Sequence, residues 1–229
     1  MAGLSVVIPT LEEASRLPLL LADLQRWPGD LEVVVCDGGS RDQTRDVAQQ
    51  AGATVLRSPT SGRGPQLRWG VDHSSHAWVL VLHADSRLPS TWHQKVGTVL
   101  DTPEAHLSAW FFNFTVDAEG RLMLWLLKRM VNLRSRWLQR PYGDQGLLIQ
   151  RRLYERVGGY RPLALMEDLD LVERLSTITT VRSLNCALLT RGERWQKRSV
   201  LAQAWRNARL RWLWRQGRST EQLLRVYQR

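Results

Sequence analysis

Acidic residues in this chain sit where short apolar runs end. Glu12 and Glu13 follow LSVVI (4–8), Asp37 follows LEVVVC (31–36), and Asp85 follows WVLVLH (78–83). A carboxylate at such a place can accept a hydroxyl, hold a hard cation or take up a proton. Asp37 is followed by Gly38-Gly39-Ser40, which either makes a plain turn or lets a ligand approach the backbone closely. Asp85 ends a run too apolar for the surface, so its charge must meet solvent, a partner or a metal. Thr10-x-x-Glu13 fits a helix capping box as well as a ligand contact. Arg63, in Gly62-Arg63-Gly64, is either a phosphate clamp or a solvated loop charge. Gly143-Asp144-Gln145-Gly146 is a turn into a strand, or a loop in which Asp144 or Gln145 meets a sugar hydroxyl. Glu167, Asp168 and Asp170 crowd one helix start, where acids favour the helix dipole with or without catalysis.

These residues need elements to hold them. LSVVI, LEVVVC, ATVLR (53–57) and WVLVLH are short continuous apolar runs, the pattern of buried strands. Between them, 13–26, 42–52 and 66–73 carry helical spacing, and Gly52 closes the second. Strands alternating with helix-length segments predict βαβ units and a parallel, doubly wound sheet. In such a sheet ligands bind beyond the carboxyl ends of the strands, where Pro9–Glu13, Asp37–Ser40 and His83–Asp85 fall. The second half predicts helices over 90–101, 121–138, 152–159 and 165–175, and strands over 109–116 and 143–150. The tail reads as helix from about Gln196, restarting at a Ser219/Gln222 capping box.

Several classes are excluded or disfavoured. The turn after the first run is PTLEE, not GxGxxG, and no GxxxxGK[ST] occurs, so neither a dinucleotide fingerprint nor a P-loop is present. Cys36 and Cys186 make no disulfide framework and no zinc pattern, and read as buried small hydrophobes. Trp69, Trp78 and Trp110 read as core. The N-terminus lacks a basic n-region and meets acid by Glu12, so no signal peptide is expected. No 18-residue apolar run appears, and the expected location is cytoplasmic.

Six strings in order, SVVIPTLEEA, VVVCDGGSRDQT, GRGPQLRWG, VLHAD, GDQG and MEDLDLVERL, resemble the inverting glycosyltransferases of family 2 over about residues 4–175. The LHAD, GDQG and MED strings resemble, within that family, the small bacterial group labelled arsenosugar biosynthesis glycosyltransferases. The resemblance implies a GT-A, Rossmann-like fold with a mixed, mainly parallel sheet flanked by helices. It implies transfer of a sugar from a nucleotide donor, expected to be a UDP-sugar, to a hydroxyl acceptor, with inversion. Pro9, Thr10, Glu13, Asp37 and Ser40 would line the base and ribose, and Arg63 the nucleotide. Asp85 would hold a divalent cation, Mn²⁺ or Mg²⁺, and Asp168 would be the base. His83 stands where the DxD motif has its first carboxylate, removing one negative charge near the metal. Asp144, Gln145 and Glu167 fall on the acceptor side.

The expected organisation is a glycosyltransferase domain over 1–190, with a nucleotide-sugar half to about 115 and an acceptor half over 116–190. A basic helical extension follows over 191–229. The net charge is +10, of which residues 191–229 carry +9. That asymmetry points to an anionic partner for the tail. In the tail, Leu201, Ala204, Trp205, Ala208 and Trp212 share one helical face, expected to pack on the body. Leu210, Leu213 and Trp214 share the other, expected to meet an anionic membrane or a second copy, or to be a fully buried helix end. Residues 121–138, basic and apolar with no acid, could join that surface. Two alternatives remain from the residues alone: a nucleotidyltransferase, disfavoured by PTLEE, and a nucleic-acid-binding module, disfavoured by the absence of any such motif.

Overall fold

The computed structural model describes residues 3–60, 62–116, 122–190 and 200–228; the side chains of 122, 200–204, 221, 225, 227 and 228 lie outside the description. The elements in chain order are β1 (Leu4–Thr10), α1 (Leu17–Leu24), β2 (Leu31–Asp37), α2 (Thr44–Gln50), β3 (Thr54–Arg57), α3 (Arg63–Asp72), β4 (Trp78–Val81), β5 (Ser86–Arg87) and α4 (Trp92–Leu100). There follow β6 (Ala109–Val116), α5 (Leu122–Trp137), β7 (Leu147–Gln150), α6 (Arg151–Arg156), α7 (Glu167–Ser176), β8 (Val181–Thr190), α8 (Val200–Arg215) and α9 (Thr220–Gln228).

One eight-stranded sheet runs in the order β3-β2-β1-β4-β7-β6-β8-β5. β1, β2, β3 and β4 pair in parallel, as do β6 and β8, while β7 runs antiparallel between β4 and β6. The sheet is therefore mixed and mainly parallel. Alternate side chains of β1 enter opposite cores, Val6 and Ile8 one and Val7 the other, as the two-residue period of a strand requires. Helices on both faces complete these cores, with Leu17, Leu20 and Leu24 on one side and Leu67 and Val71 on the other. Trp78 is buried, Trp69 and Trp110 pack on the cores half-buried, and both cysteines are buried and free.

Four expectations need correction. β1 runs through Pro9 to Thr10 rather than ending there; β4 pairs with it only up to Val7, so Pro9 lies past the doubly paired stretch. Thr10 is not a helix cap: it ends β1, and α1 starts after Arg16 with no side-chain cap. β8 was not expected at all. It carries a bulge opposite Phe111–Asn113, with Asn185 in the left-handed region (φ 51°), which breaks the alternation that would have marked a strand.

The fourth correction concerns the tail. Leu210 is 2% exposed and Leu213 and Trp214 are half-buried, whereas Trp205 and Trp212 stand 67% and 60% exposed. The Leu210 face is thus the buried helix end rather than a membrane or dimer face, and the Trp205 and Trp212 face, expected to pack on the body, points outward. α9 folds back on α8, its Leu223 is buried, and Arg206 on the Leu210 side reaches the Val226 carbonyl at 3.3 Å. Periodicity defines two faces of a helix but not which one its neighbour covers. The side chains of Leu201 and Ala204, and residues 196–199 of the expected helix, lie outside the described residues. The expected second helix start is present, with the Gln222 N–H donating to Ser219 Oγ at 3.3 Å. Among the described residues no helix is long and apolar enough to cross a membrane.

Candidate active site

The loops after β1 and β2 are knitted into one shelf. Three consecutive backbone N–H groups of the first loop donate across to side chains of the second: Glu12 to Ser40 Oγ (2.9 Å), Glu13 to Thr44 Oγ1 (2.8 Å) and Ala14 to Asp42 Oδ2 (3.1 Å). The Arg41 N–H returns the favour to Glu12 Oε1 at 2.8 Å. Glu12 is held at φ 57°, a left-handed conformation that a non-glycine residue keeps only where its surroundings enforce it.

Asp37 anchors the shelf from within. Fully buried, it accepts from the N–H groups of Gly39 (3.0 Å) and Ser40 (2.9 Å), the Ser40 hydroxyl (2.5 Å) and the Thr10 hydroxyl (3.3 Å). Its oxygens are thus engaged by the loop itself, and Arg45 Nε lies 4.0 Å from Oδ2. Glu13 turns to Arg16, 3.1 Å away. Sequence reasoning missed Gln66. Its buried Nε2 donates to the carbonyls of Thr10 and Cys36, both at 2.8 Å, and so ties the ends of β1 and β2 to α3. A Cβ on Gly38 would lie 2.9 Å from that Nε2, which is why the turn takes glycine there.

A second group gathers past the end of β4. The Gly143 N–H, in a single 3₁₀ turn over Gly143–Gln145, donates to Asp168 Oδ2 at 2.6 Å. A Cβ on Gly143 would lie 2.8 Å from His83 Nε2 and 3.1 Å from Asp168 Oδ2, so His83 and Asp168 flank one backbone position. His83, Tyr142, Gly143, Tyr160, Glu167 and Asp168 line one small pocket. Met166, just before this acidic run, is left-handed at φ 68° and turns the chain into α7 so that Asp168 falls in its first turn.

The carboxylates around Asp168 have separate environments. Glu167 is 2% exposed, 3.5 Å from Arg63 Nη1; burial and the adjacent Asp168 push its carboxyl up to about 7 against the pull of Arg63. Arg63 is thus the first residue of α3 and an ion-pair partner of α7, rather than a loop charge. Burial pushes Asp144 up to about 6, with Arg134 opposing and Asp168 and Asp85 adding to the shift. Its Oδ1 is buried without a hydrogen bond.

Gln145 departs from expectation. Fully buried, it donates to the Phe112 carbonyl (3.1 Å) and accepts from the Ser135 hydroxyl (2.6 Å), so it braces the loop instead of facing an acceptor. Asp170 is also a brace, gripped by Arg161 at 3.0 Å and by Arg174, which reaches on to the Val157 and Gly159 carbonyls.

A divalent cation can be weighed against these donors. Among the described residues no three His, Cys, Asp or Glu side chains converge on one cation position. What the site offers is the half-buried Asp85, His83 two residues before it, and the carboxylates of Asp144 and Asp168, with Arg134 offsetting part of their charge. That set fits a cation drawing most of its oxygen ligands from a bound diphosphate and water, not one caged by protein alone.

Comparison with known proteins agrees with this layout. A model described as glycosyl transferase family 2 matches residues 5–159, more than half of the chain. The chain is 38% identical over 87 residues to the glycosyltransferase AglJ of Haloferax volcanii, covering 38% of this chain and 28% of that protein. It is 37% identical over 91 residues to a PGL/p-HBAD biosynthesis glycosyltransferase of Mycobacterium bovis, covering 37% of this chain and 36% of that one. The match thus spans about a third of those relatives' length. Among solved structures, the fold resembles S. aureus TarS residues 1–349, solved also with UDP and with UDP-GlcNAc. For TarS the TM-score is 0.66 at 16% identity, over 83% of this chain and 60% of that one. It also resembles the mannosyltransferase PcManGT of Pyrobaculum calidifontis in complex with GDP-Man and Mn²⁺. There the TM-score is 0.65 at 18% identity, over 91% of this chain and 61% of that one. The mixed sheet and its flanking helices are therefore those of the GT-A glycosyltransferases.

Proposed function

Because this chain belongs to glycosyl transferase family 2, we propose that it transfers a sugar from a UDP-sugar to a hydroxyl acceptor by an inverting single displacement, with Asp168 as the base. The observation that carries this reading is the Gly143–Asp168 contact beside His83, past the strand ends where the shelf of Thr10, Asp37 and Ser40 lies. A half-buried carboxylate whose Oδ2 accepts the Gly143 N–H and whose Oδ1 accepts the Leu169 N–H at 2.8 Å has a fixed direction, and its remaining lone pairs can take the proton of an acceptor.

In the proposed step the acceptor oxygen bonds to the anomeric carbon while the bond from that carbon to the β-phosphate oxygen breaks. The electron pair leaves with the nucleoside diphosphate, and the acceptor proton passes to Asp168. Pro9, Thr10, Glu13 and the Gly38–Ser40 turn line the base and ribose. Asp37 acts mainly by holding that turn, since its oxygens are engaged there. Asp85, with His83, would hold a divalent cation, Mn²⁺ or Mg²⁺, whose charge would offset that developing on the leaving diphosphate. Asp144 and Glu167 lie on the acceptor side, and Arg63, paired with Glu167 through Nη1, keeps a partly exposed guanidinium that lies along the nucleotide.

Calorimetric titration with UDP-, GDP- and TDP-sugars, with and without Mn²⁺, tests the donor. Tight binding of one UDP-sugar that weakens without the cation is the expected result. Binding of none of the three, while a nucleoside triphosphate binds, contradicts the reading.

A further inference from the structure

The outward face of α5 is apolar. Met123, Leu126, Met130, Leu133 and Trp137 recur at alternating steps of three and four, so they form one stripe along the helix. All five are exposed, Met130 at 69% and Trp137 at 80%. The opposite face is the one that packs: Leu124 and Ser135 are buried, and Asn132 bonds both the N–H and the carbonyl of Phe114. α8 packs beside α5 and adds the exposed Trp205 and Trp212. Isolated exposed apolar residues are ordinary on a protein surface, but a contiguous stripe of this kind marks something that binds there.

Charge selects the occupant. Arg129 and Arg136, both exposed, border the stripe on one side, Arg134 on the other turns inward over the Tyr142 ring at 3.6 Å, and residues 122–138 hold no acid. On α8, Arg209 lies over the Trp205 ring at 5.8 Å, as Arg129 lies over Trp125 at 4.9 Å. A second copy seated antiparallel on the stripe would set Arg129 and Arg136 against their own counterparts. An anionic bilayer accepts both features at once, with Leu, Met and Trp entering the acyl boundary and guanidinium groups meeting headgroup phosphates. We propose that the α5 stripe, with Trp205 and Trp212 of α8, docks the protein on an anionic membrane surface. This surface is independent of the sugar-transfer reading, because none of its residues touches the pocket at Asp168.

Co-sedimentation of the full chain with phosphatidylglycerol/phosphatidylcholine vesicles and with pure phosphatidylcholine vesicles tests this. Binding to the anionic vesicles, weakened by salt, is expected. It should fall by about tenfold or more in a Met130→Ser, Leu133→Ser, Trp137→Ser variant, since three apolar side chains no longer leave water. An Arg129→Glu, Arg136→Glu variant keeps the apolar stripe and should lose the preference for anionic lipid. Circular dichroism and UDP-sugar titration check that each variant is folded. Failure to bind either vesicle, or equal binding by the triple-Ser variant, overturns the proposal. So does a lipid-free dimer that the triple-Ser variant breaks.

Discussion

The backbone N–H of Gly143 donates to Asp168 Oδ2 at 2.6 Å, joining two segments 25 residues apart. The contact depends on the absence of a side chain, since a Cβ at 143 would meet His83 Nε2 at 2.8 Å and Asp168 Oδ2 at 3.1 Å. Glycine here does a steric job: its φ is not left-handed, so backbone conformation alone does not demand it.

Gly143→Ala should therefore displace His83 or Asp168 by a few tenths of an ångström without unfolding the chain. Turnover is expected to fall about tenfold or more, because misplacement of a proton acceptor is costly, while donor KM changes little. Steady-state kinetics on the folded variant would show it. An unchanged kcat would mean that the contact is incidental.

Glu167 gives a pH dependence with a definite sign. Its carboxyl is raised in the folded state to about 7 from an ordinary 4.5, so between those values the native protein holds a proton that the unfolded chain has lost. Stability from this group is greatest below about 4.5 and falls as pH rises towards 7. Glu167→Gln removes the penalty and should raise stability at pH 8 by on the order of 1–3 kcal/mol, with little change at pH 4. Denaturant midpoints at the two pH values check this; a loss of stability at pH 8 would mean that the Arg63 pair outweighs the burial.

Gln66→Leu should strip the Thr10 and Cys36 carbonyls of their shared donor and loosen the shelf. A destabilisation of about 1–3 kcal/mol is expected, with weaker donor binding. Urea midpoints and donor titration measure the two effects together. Lost stability with unaltered donor affinity would restrict Gln66 to a structural part.

Asp85→Ala should abolish the part of UDP-sugar binding that depends on Mn²⁺ and leave the cation-independent part. His83→Asp adds a second carboxylate and is expected to tighten the cation's apparent affinity. Titration of Mn²⁺ into the protein with UDP reads both variants. Cation dependence that survives in Asp85→Ala would reassign the metal contact.

The first half of the fold was legible because β1, β4 and the second half of β2 are buried on both faces and read as mostly apolar runs, interrupted only by Ser5 and Glu32. The carboxylates at their ends then mark the ligand edge of the sheet. β8 was hidden by the left-handed Asn185, which inserts a bulge and defeats a period-two reading, and β5 is only two residues long. Gln66 left no signal, since one glutamine in a helical pattern is ordinarily a surface residue. Gln145 and Asp144 show a different limit: adjacent in one motif, one is saturated by Phe112 and Ser135 and the other keeps a bare carboxylate oxygen. Spacing cannot distinguish them. The faces of α8 were periodic in sequence, but the partner that covers Leu210 is a tertiary fact.

Single-turnover transfer by Asp168→Asn tests the central claim most directly. Asparagine keeps the size of the side chain, and its one oxygen can still accept the Gly143 N–H while the Leu169 N–H loses its acceptor, but it accepts no proton at neutral pH. The chemical step should slow by about two orders of magnitude or more, while UDP-sugar affinity stays within a few-fold of the native value. Transfer at the native rate, or donor binding lost in proportion to turnover, would contradict the assignment of Asp168 as the base.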